Sequence, residues 1–190
     1  MCSSDLKGVA ENAGNILLPL ARGAIAGQLG LAAPQVADAP WLHNTGAAFV
    51  TLTMDGKLRG CIGTLEPHRA LVDDVKANAL AAAFRDPRFK PLSADEFKDT
   101  KVEVSVLSPV EIMHWQNEDD ALAQLRPGID GVIFEYGHHR STFLPQVWEE
   151  FTDAQTFMGH LKYKGGLPPD FWDPAVKLSR YTVAKFREGG

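Results

Sequence analysis

The chain has 190 residues, of which 45% are hydrophobic and 23% are charged, and its net charge is −5. A chain of this length removes about 70% of its extended surface from water on folding, so it needs no disulfide or structural metal for stability. No apolar run reaches the roughly 18 residues of a membrane span, and the acidic balance disfavours non-specific binding to nucleic acid or anionic lipid. We therefore expect a soluble protein of one domain.

The two cysteines are Cys2, close to the N-terminus, and Cys61, which lies in the sequence Gly60-Cys61-Ile62-Gly63. They form no CxxC pair and no disulfide framework, so we expect them to stay unbonded in a reducing compartment. The N-terminus also lacks the basic and apolar regions of a secretory signal. These features predict a cytoplasmic location.

The first predicted elements are a helix and a β-hairpin. Apolar residues at helical spacing predict a helix over 5–29 that ends at Gly30, although Pro19 favours a kink or a later start. A Pro- and Ala-rich connector, 31–40, separates this helix from the hairpin. The hairpin strands are 47–54 and 57–65, and Asp55-Gly56 favours the positive φ angles of the two-residue turn between them.

The remainder of the chain alternates helical and strand patterns. Ser93 and Glu96 form a capping box that predicts the start of a short helix. The other predicted elements are helices over 69–84, 117–125, 146–150 and 154–162, strands over 101–107 and 177–186, and a second hairpin with strands 131–136 and 141–144 around the turn 137–140. Together they predict an α+β fold with a mainly antiparallel sheet and packed helices.

Several segments, in this order along the chain, resemble the AMMECR-domain family. The hallmark is Leu58-Arg59-Gly60-Cys61-Ile62-Gly63, and further matching segments are 82–84, 86–89, 102–109, 131–132, 142–148 and 164–167. The resemblance covers about residues 8–186 and implies one compact domain, 1–190, with two lobes around an antiparallel sheet. It also implies partnership with Memo-like and radical-SAM proteins, alongside which such proteins form the AmmeMemoRadiSam system in bacteria and archaea. The resemblance implies no defined reaction.

The 58–63 segment holds the candidate catalytic residues, Cys61 and Arg59. In a regular strand these two share a face with Cα atoms about 6.6 Å apart, while Leu58 and Ile62 lie on the opposite, core face. A guanidinium near a thiol favours the thiolate, which attacks electrophiles and binds metals. This predicts a pocket for a small molecule or a modified residue. The alternative is that Cys61 is a small apolar filler in a packing motif.

Candidate binding residues surround this pair. Glycine within a strand marks the close approach of a backbone, a ligand or a bulge, which applies to Gly60 and Gly63. Asp86 and Arg88 follow the predicted helix 69–84 and offer an acid and a base at the pocket rim, or alternatively only a helix-ending turn. Thr142 offers a hydroxyl at the second hairpin, where polar residues are common in any case.

No metal or cofactor is expected. His138 and His139 are adjacent on an extended chain, where their side chains point in opposite directions, and no HExxH or Cys/His ligand spacing accompanies them. The sequence also lacks a P-loop, a GxGxxG segment and a GxSxG elbow, which disfavours the common nucleotide-binding and hydrolase mechanisms.

Three functions stay open, and whether the protein is an enzyme is undecided. The first is an enzyme, or its substrate-binding component, that uses the Cys61 pocket. The second is a non-catalytic adaptor or binding module. The third is binding of RNA or other single-stranded nucleic acid by a basic C-terminal face with interleaved aromatic residues. The residues of that face are Lys162, Lys164, Lys177, Arg180, Lys185 and Arg187, with Tyr163, Phe171, Trp172 and Tyr181.

Overall fold

Short helices and antiparallel strands make up both halves of the chain, which confirms the predicted α+β class. The computed structural model describes residues 13–189. The chain folds as two compact units, one that runs up to Leu107 and resumes at Ala184, and a second over Ser108–Val183.

The helices and strands have the following bounds in chain order. The helices are α1 (Gly14–Gln28), α2 (Leu71–Phe84), α3 (Ala94–Lys98), α4 (Glu118–Gln124) and α5 (Ala154–Lys164), with short 3-10 helices at Pro40–His43 and Pro145–Glu149. The strands are β1 (Thr45–Gly46), β2 (Ala48–Met54), β3 (Lys57–Gly63), β4 (Arg69–Ala70), β5 (Thr100–Leu107), β6 (Glu111–Ile112), β7 (Gly131–Tyr136), β8 (His139–Phe143), β9 (Lys177–Tyr181) and β10 (Val183–Arg187).

The first unit is built on a four-stranded sheet of order β10-β5-β2-β3, and β1 and β4 form a separate two-stranded pair. Helices α1 and α2 supply the other side of its core. Fully buried side chains from the helices and from β2 and β5 meet there, among them Leu17, Ile25, Val50, Leu52, Val75 and Val104. In this sheet β3 is an edge strand.

The second unit is built on a four-stranded sheet of order β6-β9-β7-β8. Helix α5 contributes Phe157 and Leu161 to its core, where they meet Phe134 of β7 and Leu178 of β9. The ring of Phe157 is also stacked on Trp148, with ring centroids 3.9 Å apart. This core is separate from that of the first unit.

Local sequence signals account for the element boundaries that were predicted correctly. Asp55 and Gly56 have φ angles of 52° and 76°, as the two-residue hairpin turn requires. The Ser93–Glu96 capping box is present at the start of α3, and Gly30, with φ 74°, follows the end of α1. Residues 5–12 of the predicted first helix lie outside the described residues.

Some boundaries differ from the prediction. The strand predicted over 177–186 is two strands, because the Thr182 N–H leaves the ladder and donates to Ser108 Oγ at 2.8 Å. The second hairpin turn has only two residues, Gly137 and His138, since Tyr136 pairs directly with His139. The helix predicted over 146–150 is a 3-10 helix. None of the helices in the described part of the chain is long and apolar enough to cross a membrane.

Candidate functional site

The segment 58–63 lies in β3, which among the residues 13–189 pairs with β2 alone. The pairing register shifts along the strand, because Leu52 is opposite Gly60 whereas Thr53 is opposite Leu58. Arg59 is therefore the extra residue of a β-bulge, a feature that bends a strand and redirects its side chains. The predicted hairpin is confirmed, but its ladder is not regular.

The bulge changes which side chains share a face. Cys61 is opposite Thr51, and Ile62 packs against the core as predicted. Leu58, in contrast, is 43% exposed, so its predicted place on the core face is wrong. Because the register shift falls at Arg59, simple alternation no longer places that side chain beside Cys61.

Asp86 and Arg88 hold the free edge of β3 at Cys61. The backbone N–H of Cys61 donates to Asp86 Oδ2 at 3.0 Å, and Arg88 Nη2 donates to the Cys61 carbonyl at 3.4 Å. The two side chains also pair with each other, with Arg88 Nη2 2.7 Å from Asp86 Oδ2. They thus supply the acceptor and the donor that a neighbouring strand would supply.

The two side chains of this pair differ in their exposure to solvent. The Asp86 side chain is 2% exposed, whereas that of Arg88 is 55% exposed. The hydrogen bond from Arg88 holds the pKa of Asp86 well below its usual range, and the backbone N–H groups of Cys61 and Arg88 lower it further against the opposing effect of burial. Asp86 is therefore a fixed carboxylate rather than a proton donor at neutral pH.

The Cys61 thiol is half-buried and lies 3.3 Å from Thr51 Oγ1. The Arg88 guanidinium contacts the same residue through the Cys61 carbonyl, at 3.4 Å from Nη2. The hydrogen bond to Asp86 is the main cause that raises the pKa of Arg88. The cation that contacts Cys61 is therefore Arg88.

Arg59 has different partners. Its Nε and Nη2 donate to the Glu96 carboxylate at 3.0 and 3.2 Å, and Nη2 also donates to the Lys90 carbonyl at 2.7 Å. The Arg59 side chain is 11% exposed. The hydrogen bond from Arg59 lowers the pKa of Glu96, and the bonds from Ser93 act in the same direction. Arg59 thus joins β3 to the capping box of α3.

The two glycines of the segment permit close packing. A Cβ at Gly60 would lie 2.2 Å from the Ala82 carbonyl oxygen of α2, and one at Gly63 would lie 2.1 Å from the Phe49 ring. Both the bulge and the backbone approach expected at Gly60 are present. A ligand contact by either glycine stays a prediction.

Thr142 lies in the second unit, on β8. Its hydroxyl is 3.3 Å from Tyr181 Oη, and its carbonyl accepts a hydrogen bond from Lys164 Nζ at 2.8 Å. Burial raises the pKa of Tyr181. These contacts give Thr142 a local role in the second sheet, and its assignment as a binding residue stays a prediction.

His138 and His139 do not point apart as expected for adjacent residues of a strand. Their rings are stacked, with centroids 4.6 Å apart, because His138 lies in the turn and only His139 is in the strand. His139 Nδ1 lies 2.9 Å from the Gly165 carbonyl. Within residues 13–189, no group of three or more His, Cys, Asp or Glu side chains is placed to hold a metal ion.

The basic C-terminal face predicted from sequence is not a continuous surface. The Lys162 side chain is 2% exposed and pairs with Glu118, and Tyr181 is buried. Phe171 and Trp172 pack against the core of the second unit. Lys162 and Tyr181 therefore cannot contribute to such a face, whereas Tyr163 is 72% exposed, and binding of nucleic acid stays a prediction.

Comparison with known proteins gives one consistent family. A sequence model of the AMMECR1 family matches residues 18–186. The chain belongs to the AMMECR1 family. It is 44% identical to a protein of Methanothermobacter thermautotrophicus over 144 residues, which cover 75% of each chain. A protein of Methanocaldococcus jannaschii is 40% identical over 136 residues, which cover 70% of this chain and 68% of the relative.

A solved structure of similar fold supports this family assignment. The crystal structure of uncharacterized protein PH0010 from Pyrococcus horikoshii matches with a TM-score of 0.79 and 35% sequence identity. The match covers 92% of this chain and 91% of that one. The AMMECR1 fold described above is thus shared with a relative, and none of these relatives is described by an activity.

Sequence reasoning missed two residues of the site in this AMMECR1-family chain. Glu96 was recognised only as half of a capping box, although that signal also placed a carboxylate near the start of a helix. Thr51 was not singled out, because an unbulged hairpin would not pair it with Cys61. Both contacts depend on the path of β3 through its bulge.

Proposed function

We propose that the outer edge of β3 around Cys61 and Arg88 binds a small molecule or modified residue that carries an anionic or electrophilic group. The observation that carries the proposal is a guanidinium that is 55% exposed and lies against Cys61, a half-buried cysteine, because Arg88 Nη2 donates to the Cys61 carbonyl at 3.4 Å. A thiol beside a cation is the combination that attacks or ligates such groups. The cation in this proposal is Arg88 in place of Arg59.

Asp86 balances the charge of Arg88, but the guanidinium is 55% exposed and part of it stays free for an anion. Asp86 fixes the guanidinium through Nε at 3.0 Å and Nη2 at 2.7 Å. The described hydrogen bonds therefore leave Nη1 available to a carboxylate or phosphate oxygen, the groups that guanidinium binds best. Because the side chain is already ordered by Asp86, a ligand would lose little affinity to its immobilisation.

We further propose that this site serves a modification system together with Memo-like and radical-SAM proteins. Membership of the AMMECR1 family supports this role, since the sequence resemblance associates such proteins with that system. In this proposal the chain is the substrate-binding component, and Cys61 and Arg88 hold the group to be modified.

The test is the alkylation of Cys61 by two reagents of opposite electrostatic character. Iodoacetate is anionic and iodoacetamide is neutral, so the ratio of their rate constants reports the local positive charge. In a Cys2→Ser background, we expect Arg88→Ala to lower this ratio about two- to fivefold, the effect of a solvent-exposed charge pair. Peptide mass spectrometry would follow modification at Cys61.

Two matched variants serve as controls. Arg85→Ala removes an exposed cation three residues away and should leave the ratio unchanged. Arg88→Lys keeps the charge and should retain most of the ratio. Equal ratios in the Arg88→Ala and Arg85→Ala proteins, or a Cys61 that does not react while the protein is folded, would overturn the proposed site.

The second candidate function is a non-catalytic adaptor. The observation that favours it is that Gly60 and Arg59 contact other parts of the same unit, namely the Ala82 carbonyl oxygen and the Glu96 carboxylate. In this case the segment serves packing alone. Co-expression with Memo-like and radical-SAM proteins from one genome distinguishes the two functions. If the protein is an adaptor, its Cys61→Ser variant should assemble with them and retain cellular activity. If the site binds a ligand, the same variant should assemble but lose cellular activity.

A further inference from the structure

A cleft of about 580 Å³ lies in the second unit, between α4, α5 and the Pro169-Asp170 segment. Its volume falls within the range of about 300–1,000 Å³ that is typical of small-molecule sites. Leu122, Met158 and Pro169 supply its apolar surface. The cleft contains none of the residues of the Cys61 site.

Lys162 lies in the wall of this cleft but is already neutralised. Its side chain is 2% exposed, and Nζ lies 2.7 Å from Glu118 Oε2. Nζ also donates to the Pro169 carbonyl at 3.3 Å and lies 5.4 Å from the centroid of the Trp172 ring. Glu118 and the Pro169 carbonyl thus accept from two of the three N–H donors of the ammonium, which is buried as well as paired. Lys162 is therefore not available to attract an anion.

His160 also lines the cleft, with its ring stacked on Phe151, and the carboxylate and the exposed aromatic ring that remain favour a cation. Once Lys162 and Glu118 cancel, Asp170 is the lining carboxylate whose charge is left, and it is exposed. Tyr163 also lines the cleft and is 72% exposed. The face of a tyrosine ring attracts ammonium and guanidinium groups. An apolar surface beside a carboxylate and an aromatic ring matches an alkyl chain with a cationic end.

We propose that this cleft binds a ligand consisting of a short apolar chain that ends in an ammonium or guanidinium group. The apolar part lies against Leu122, Met158 and Pro169, and the cationic end lies at Asp170 and Tyr163. Free alkylamines and the lysine or arginine side chain of a peptide share this chemistry.

The test uses three six-carbon probes with a cationic, a neutral and an anionic head group: hexylammonium, 1-hexanol and hexanoate. Each is titrated into the full chain, and backbone amide shifts are followed by NMR. We expect shifts at the cleft residues, with hexylammonium binding about two- to fivefold more tightly than hexanol, the contribution of a solvent-exposed ion pair. Hexanoate should bind more weakly than either. Equal affinity for hexylammonium and hexanol, or shifts outside the cleft, would overturn the proposal.

Matched variants locate the charge and the apolar contact. Asp170→Asn should remove the preference for hexylammonium over hexanol, whereas Asp119→Asn, an exposed carboxylate on α4 outside the cleft lining, should leave it intact. Gly159→Leu places a side chain inside the cleft and should abolish binding of both probes. The proposal is wrong if the two Asp→Asn variants weaken hexylammonium binding equally, because the cation then responds only to the net charge of the protein. Comparison of peptides with a lysine or a norleucine at one position then distinguishes a peptide side chain from a free amine.

Discussion

Replacement of Gly60 by alanine is expected to destabilise the first unit strongly. The added Cβ would lie 2.2 Å from the Ala82 carbonyl oxygen, about 1 Å closer than the roughly 3.3 Å at which carbon and oxygen atoms meet. Both groups are close to the backbone, so no side-chain rotation relieves the overlap. Strand β3 and helix α2 must move apart instead.

The size of the effect follows from what that movement disturbs. Helix α2 buries seven residues, among them Val75 and Ala79. A gap of 0.5–1 Å removes about a quarter to a half of the attractive energy of each van der Waals contact. Overpacked cores usually lose about 1–3 kcal/mol, and occasionally more. Because the relief here requires backbone movement, we expect a loss of about 3 kcal/mol in the free energy of unfolding.

Urea denaturation followed by circular dichroism measures this loss, and Gly27→Ala is the matched control. Gly27 lies in α1, and a Cβ there would meet no atom of the described residues within 4 Å. Its replacement should therefore stabilise the helix by up to about 1 kcal/mol. If the free energy of unfolding of Gly60→Ala were within about 0.5 kcal/mol of the wild-type value, the close approach of β3 and α2 could not be the reason for a glycine at this position. A ligand contact would then be the better explanation.

Three further predictions concern the neighbouring side chains. Arg59→Ala should lower the free energy of unfolding in urea by about 1–3 kcal/mol, since it removes charge-assisted hydrogen bonds to Glu96; a loss below about 0.5 kcal/mol would contradict the described pairing. The lowered pKa of Asp86 gives stability that is present above its unfolded pKa of about 3.9 and declines as the pH falls below it. Asp86→Asn should therefore flatten the pH dependence of stability below about pH 4, and an unchanged slope would refute this. Ser93→Ala should cost about 1 kcal/mol by loss of the N-cap, and a double-variant cycle with Arg59→Ala should show coupling through Glu96.

The predicted and observed registers of the β2–β3 hairpin differ, and the difference shows how much of the site the sequence predicts. A regular two-residue turn at Asp55-Gly56 would place Arg59 opposite Leu52 and Cys61 opposite Val50, and both partners are fully buried. That arrangement would put a guanidinium into the core, where an unpaired charge is very costly. One extra residue at Arg59 moves Cys61 opposite Thr51 instead. The apolar residues at 50 and 52 make this conflict visible in the sequence, but the sequence does not show that the bulge falls at Arg59.

Elements with local signals were predicted better than those set by distant contacts. The Asp55-Gly56 turn and the Ser93–Glu96 box each act within a few residues, so the sequence alone locates them. The interruption between β9 and β10 depends on the hydrogen bond from Thr182 to Ser108, 74 residues earlier. No pattern within 177–186 indicates that partner.

The Asp86 and Arg88 pair unites the two interpretations that the sequence left open for it. No strand of the described part of the chain pairs with the outer side of β3, and an unpaired edge is a site of aggregation unless its backbone groups are covered. Asp86 and Arg88 cover the N–H and the carbonyl of Cys61, which is a structural role. The same contacts hold a cation beside Cys61 without burying it, as the proposed chemical role requires. Loss of function in Arg88→Ala would therefore not distinguish the two roles. Arg88→Lys separates them, because lysine preserves the charge but cannot form the paired hydrogen bonds of the guanidinium.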